Sequence, residues 1–126
     1  MYPAISREKE SPSPMDPFDL FEDEDTEYQL ILSADDDLPV DDAVDAAGHI
    51  PNGHFWTAVA RYLIGQNQPA LADTIEFDPE AGTFAAYGDR DSLIQLHALM
   101  LPAVTDPHTI TTLLDAAAAQ GDDLFT

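Results

Sequence analysis

The side chains in this chain that could do chemistry are mainly carboxylates, with four histidines, few serines and no cysteine. The acids come in runs: Glu22-Asp23-Glu24-Asp25, Asp35-Asp36-Asp37 and Asp41-Asp42. Dense carboxylates raise the question of calcium, but an EF-hand needs spaced ligands, a central glycine and a distal glutamate. The first two runs lack that spacing, so they would hold divalent ions only loosely, at the surface. His49 and His54 flank a Pro-Asn-Gly turn without the further ligands of a metal site, and read as exposed or capping residues. His97 and His108 fall on or beside helices with no ligand spacing. Ser33 and Ser92 stand outside any nucleophile-elbow context. The scattered glycines form neither G-x-G-x-x-G nor a P-loop. A carboxylate pair for a small hydrolase stays open, because acids are so abundant that none is singled out. No metal or cofactor is expected, and the residues favour a binding protein over an enzyme.

Charge narrows the partners. The 126 residues carry a formal net charge of −21. Arg7 and Lys9 balance Glu8 and Glu10, so the whole excess lies beyond residue 15, where Arg61 and Arg90 are the only fixed cations. Such a field repels nucleic acid and anionic membrane, and it steers cationic partners toward the surface. An acidic adaptor for basic proteins, or a nucleic-acid mimic, is one reading; solubility or a compositionally biased proteome is another. No run of about 18 uncharged apolar residues predicts a membrane span. The first ten residues lack the apolar segment of a secretory signal. Without cysteines, nothing opposes a reducing cytoplasm.

The elements that must position these residues alternate in type. Residues 1–16, punctuated by Pro3, Pro12 and Pro14, read as a disordered tail, with Met15 a second candidate start. A single domain is expected over residues 17–121, with residues 122–126 frayed. Phe18 to Phe21 and Tyr28 to Leu32 flank the first acidic run as a hairpin, its first strand at an edge. A short helix with Val40, Ala43, Val44 and Ala47 inward follows Pro39, Asp41 and Asp42 fall in its first turn, and Gly48 ends it. Asn52 is placed as the N-cap of a helix over about Gly53 to Ile64, with Phe55, Val59, Tyr62 and Leu63 on its inward face and Gly65 as its stop. Ile75 and Phe77 alternate with Glu76 and Asp78, the period-2 signature of a strand with one buried face. Pro79 to Gly82 is a turn, and Thr83 to Tyr87 returns as the partner strand. Asp89 caps a helix over about Arg90 to Leu101 that Pro102 ends or kinks, and Asp106-Pro107 restarts one with Ile110, Leu113, Leu114 and Ala117 inward. The fold class is therefore α+β: an antiparallel sheet of about four strands, from two hairpins, packed with about four helices in the order ββααββαα. The aromatics Phe55, Trp56, Tyr62, Phe77, Phe84 and Tyr87 suit a core, although Trp56 and Tyr87 could instead reach a partner.

Two segments together carry a family resemblance. Gly48-His49-Ile50-Pro51-Asn52-Gly53-His54-Phe55-Trp56 continues into Val59 to Leu63. Phe77-Asp78-Pro79-Glu80-Ala81-Gly82-Thr83-Phe84-Ala85-Ala86-Tyr87-Gly88-Asp89 continues into Leu93 and Leu96. Over about Phe18 to Ala118 this resembles immunity protein family 51, small bacterial proteins associated with polymorphic toxin systems. The most specific stretches are Gly-His-x-Pro-Asn-Gly-x-Phe-Trp and Asp-Pro-Glu-Ala-Gly-x-Phe. The resemblance implies a non-catalytic, cytoplasmic protein, a monomer or weak homodimer, that binds a cognate secreted toxin and blocks it. It brings no catalytic residues. Asn52, Gly53, Phe55, Trp56, Asp78, Pro79, Glu80, Gly82, Phe84, Tyr87 and Gly88 are expected to hold the fold. The candidate contacts for a basic toxin are Glu22, Asp23, Glu24, Asp25, Asp35, Asp36, Asp37, Asp41 and Asp42, whose clusters exceed what folding requires.

Overall fold

In a computed structural model, residues 17–22, 27–33 and 38–120 are described. Strand β1 (Phe18–Glu22) turns back into β2 (Tyr28–Ser33), followed by helices α1 (Asp41–Ala46) and α2 (Gly53–Asn67). A 3-10 helix at Pro69–Asp73 leads to β3 (Ile75–Phe77), β4 (Thr83–Gly88), α3 (Arg90–Thr105) and α4 (Pro107–Ala119). The α+β class and the order ββααββαα expected from periodicity are therefore present, with the 3-10 helix as an addition. No described helix is long and apolar enough to cross a membrane.

The strands form one antiparallel sheet in the order β1-β2-β4-β3. Each hairpin gives its second strand to the centre and its first to an edge, so the topology is twofold about the β2–β4 pair. Successive residues of a strand face opposite sides. Phe18, Leu30, Leu32, Phe84, Ala86 and Ile75 face the helices and are buried in one core. Helices α2 and α3 pack on that face, and α4 packs against α3 and α1. From α2 the core takes Phe55, Trp56, Val59, Ala60 and Ile64; from α3 it takes Leu93, Leu96, Met100, Ala103 and Val104. Ile110, Leu113, Leu114 and Ala117 are the buried residues of α4, as their spacing required.

Local signals set most element ends. Gly48 takes the left-handed conformation (φ 91°) that stops α1. The Asn52 side chain accepts from the Phe55 amide at 2.8 Å and so satisfies a free donor of α2. Two ends depart from those expected from the sequence. Helix α2 runs through Gly65 to Asn67, because a side chain at Gly65 would meet only open space and nothing there demands a stop. The stop comes from Pro69, which bars the preceding residue from helical geometry, and Gln68 sits at φ −147°, ψ 70°. Helix α3 passes Pro102 and ends at Thr105. Pro102 and Ala98, whose carbonyl loses its amide partner, are both exposed, while Ala103 and Val104 beyond them are buried. The real break lies at Asp106, which precedes Pro107, is extended, and caps α4 by accepting from the His108 amide.

Asp89 caps α3 with both oxygens. The Ser92 hydroxyl donates to one at 2.7 Å and the Ser92 amide to the other at 3.0 Å. The Ser92 hydroxyl also meets that of Thr74 at 2.9 Å, linking the start of α3 to the approach of β3. The Ser92 side chain first, and its amide second, hold the Asp89 carboxyl below its ordinary value of 3.8. A depressed folded value stabilises the fold above the ordinary value, and that contribution is lost as pH falls through the folded one. Asparagine caps a helix as well as aspartate but does not titrate. The stability difference between wild type and Asp89→Asn is therefore expected to be constant near neutrality and to shift against wild type below about pH 4. Urea unfolding of both proteins across that range measures it.

Candidate partner-binding surface

The residues of the two motif segments meet in space. The Gly53 amide at the start of α2 donates to the Ala81 carbonyl in the β3–β4 turn at 3.0 Å. That turn is closed by reciprocal bonds, Glu80 amide to Thr83 carbonyl at 2.9 Å and Thr83 amide to Glu80 carbonyl at 3.1 Å. Gly53 is buried against it so closely that an added Cβ would overlap the carbonyl oxygens of Glu80 and Thr83. The Thr57 hydroxyl donates back to the Gly53 carbonyl at 2.9 Å. Phe55 and Trp56 pack edge to face at 4.7 Å, and Phe84 is fully buried. Gly88 lies against the Thr74 backbone. Trp56 is wholly buried and does not reach the surface; its Nε1 has no hydrogen-bond partner among the described residues. Tyr87 is half-buried and absent from the core. His49 packs on Phe55 with ring centres 5.9 Å apart, and His54 is exposed.

The acids proposed for contact do not form one described patch. Asp23, Glu24, Asp25, Asp35, Asp36 and Asp37 lie outside the described residues. Glu22 is exposed at the end of β1 opposite Tyr28. The chain toward Asp41 and Asp42 instead leaves β2 at Ser33, the opposite end of that hairpin. Asp42 is exposed, whereas Asp41 is turned inward: one oxygen accepts from the Leu38 amide at 3.0 Å and the other is buried without a partner.

The sheet has a second face, opposite the helices. Its register places Phe21, Gln29, Tyr87 and Glu76 in one row across the strands, with Asp19, Ile31 and Ala85 in the next. Asp78, whose amide donates to the Ala85 carbonyl at 3.0 Å, extends the second row. Phe21, Ile31 and Tyr87 belong to neither the core nor the residues packed on it, whereas Ala85 is buried. Phe21 is 46 % exposed, Ile31 and Tyr87 are half-buried, and Asp19, Glu76 and Asp78 are exposed. The sequence reading passed over this face, although the alternation of Glu76 and Asp78 with buried neighbours was its signal.

Two clefts lie among the described residues. One of 680 Å³ lies between α2, the 3-10 helix and β3, lined by apolar residues with Arg61 and Glu76. The Arg61 guanidinium sits over the Phe77 ring at 5.2 Å. The other, of 510 Å³, lies between α2 and α4; Tyr62, Gln66, His108 and Gln120 supply its polar groups. Glu76 is the single carboxylate lining either cleft. Among the described residues, no three histidines or acids converge as metal ligands.

Neither a curated protein nor a solved structure matches this chain. The family model described as Immunity protein 51 matches residues 18–119, which run from the first residue of β1 to the last of α4. The match thus spans both hairpins, all four helices and the Gly53–Ala81 contact that joins the motif segments. The chain belongs to the Immunity protein 51 family.

Proposed function

We propose that this protein is a non-catalytic immunity protein that binds a cognate bacterial polymorphic toxin in the cytoplasm of the producing cell and blocks it. The observation that carries this reading is the family match over the whole described fold. The chemistry of the surface supports it. A net charge of −21 accelerates encounter with a basic partner and disfavours nucleic acid and anionic membrane. In this reading the acidic runs, Glu22, Asp23, Glu24, Asp25, Asp35, Asp36 and Asp37 with Asp42, act first as a steering field, and the toxin is basic.

Co-expression tests the proposal. Cells expressing the toxin encoded beside this gene are expected to survive only when the protein is made with it, and purified protein should retain that toxin alone from a lysate. Equal killing with and without the protein would refute the reading. Retention of several unrelated basic proteins would favour a general acidic adaptor.

A further inference from the structure

We propose that the open face of the sheet seats the toxin, which meets it with a basic, arginine-bearing surface. This rests on the immunity reading above and adds where the contact is made and with what chemistry. An antiparallel sheet covered on one side presents polar residues to water on the other. This one departs from that rule on β1, β2 and β4. Phe21, Ile31 and Tyr87 lie in two neighbouring rows of the face away from the helices and stay outside the core, with Gln29 between Phe21 and Tyr87 and the buried Ala85 beside Ile31. Folding leaves Phe21 exposed and Ile31 and Tyr87 half-buried, whereas an interface uses apolar and aromatic residues at its centre.

The border of the same face is acidic. Asp19 lies at the β1 edge, and Glu76 and Asp78 lie at the β3 edge, all three exposed. None of the four strands carries a lysine or arginine. Aromatic and aliphatic side chains beside Asp19, Glu76 and Asp78 match guanidinium groups, which stack on ring faces and pair with carboxylates in one arrangement. A cation beside this border, Arg61, belongs to α2 and shares a cleft with Glu76. A second copy of this chain is the poorer fit, since it would bring another net charge of −21 against the same border. On the helical side most large side chains are spent in the core; Ile50, 70 % exposed, stands apart in the turn before α2. The face is built on paired strands, so it meets the partner in a fixed shape and loses little freedom on binding.

The experiment measures binding of the full chain to the purified effector domain of the toxin encoded beside it. Asp19→Lys with Glu76→Lys reverses the border; Phe21→Ala with Tyr87→Ala removes the centre without changing charge. Asp45→Lys with Asp115→Lys makes the same charge change at exposed positions of α1 and α4. Each sheet-face variant is expected to raise Kd about 30-fold or more, as loss of a central interface anchor does. The helical-side variant, which alters only long-range attraction, should stay within about fivefold. In the wild-type complex, hydroxyl-radical labelling of Phe21 and Tyr87 should fall, a readout that needs no variant to fold. Sheet-face variants that bind like wild type, or labelling that does not change, would overturn the assignment and leave the immunity reading standing. So would a wild-type dimer that these variants split while still inhibiting the toxin. Wild-type protein that fails to bind the toxin at all would overturn the immunity reading itself, and this surface with it.

Discussion

Gly53→Ala is expected to destabilise the protein by about 3 kcal/mol, at the upper end of what overpacking costs. The added Cβ would overlap the carbonyl oxygens of Glu80 and Thr83. Both are backbone atoms of a turn closed by its own hydrogen bonds, so neither can rotate away. Relief requires α2 to withdraw from the β3–β4 turn, which stretches the Gly53–Ala81 hydrogen bond and disturbs Phe55 and Trp56 just behind it. Against a typical total of about 5–15 kcal/mol, the loss should lower the thermal midpoint by the order of 15 °C. Gly65→Ala is the internal control. It lies in the same helix with nothing within 4 Å of the added methyl, so it should stabilise by up to about 1 kcal/mol through helix propensity. Thermal unfolding of the two variants therefore moves in opposite directions; equal shifts would contradict the close contact at Gly53.

Trp56→Ala is expected to cost about 3–5 kcal/mol, the usual range for deleting a buried aromatic. Trp56 is 0 % exposed and wedged edge-on against Phe55. Trp56→Phe should cost less than about 2 kcal/mol. Its smaller ring leaves a void, but it also removes an indole N–H that is buried without an acceptor, a group that costs about 1–3 kcal/mol to desolvate. Trp56 is the sole tryptophan, so both variants require far-UV circular dichroism rather than fluorescence to follow unfolding in urea. A phenylalanine variant as unstable as the alanine one would mean that the N–H contributes favourably. Stability losses of this size also lower the amount of folded protein in a cell, so Gly53→Ala and Trp56→Ala should weaken protection without touching the partner surface.

What was legible in the sequence was local. Strand alternation at Ile75 to Asp78, the caps at Asn52 and Asp89, the restart at Asp106-Pro107 and the inward stripe of α4 depend on neighbours a few residues away. They gave the α+β class and the element order. The ends of α2 and α3 were less legible, because a glycine or a proline inside a helix stops it only where packing agrees. Gly65 has open space around it, and Pro102 lies on the exposed side of a helix whose next turn is buried. The 3-10 helix left no signal because its one buried residue, Leu71, has no periodic partner. The open face was half-visible: alternation implied an outer side to each strand. Only the β2–β4 pairing, which joins residues more than fifty positions apart, puts Ile31 beside Ala85, and Gln29 beside Tyr87. The acidic runs attract attention in a sequence because they are contiguous, whereas Asp19, Glu76 and Asp78 become a border only after the sheet forms.

The most direct measurement is a titration of the purified toxin's activity with purified full-length protein. Stoichiometric neutralisation predicts that activity falls linearly and vanishes near one equivalent, with no turnover of the toxin or its substrate by this chain. Full toxin activity in the presence of a large excess of folded protein would contradict the account.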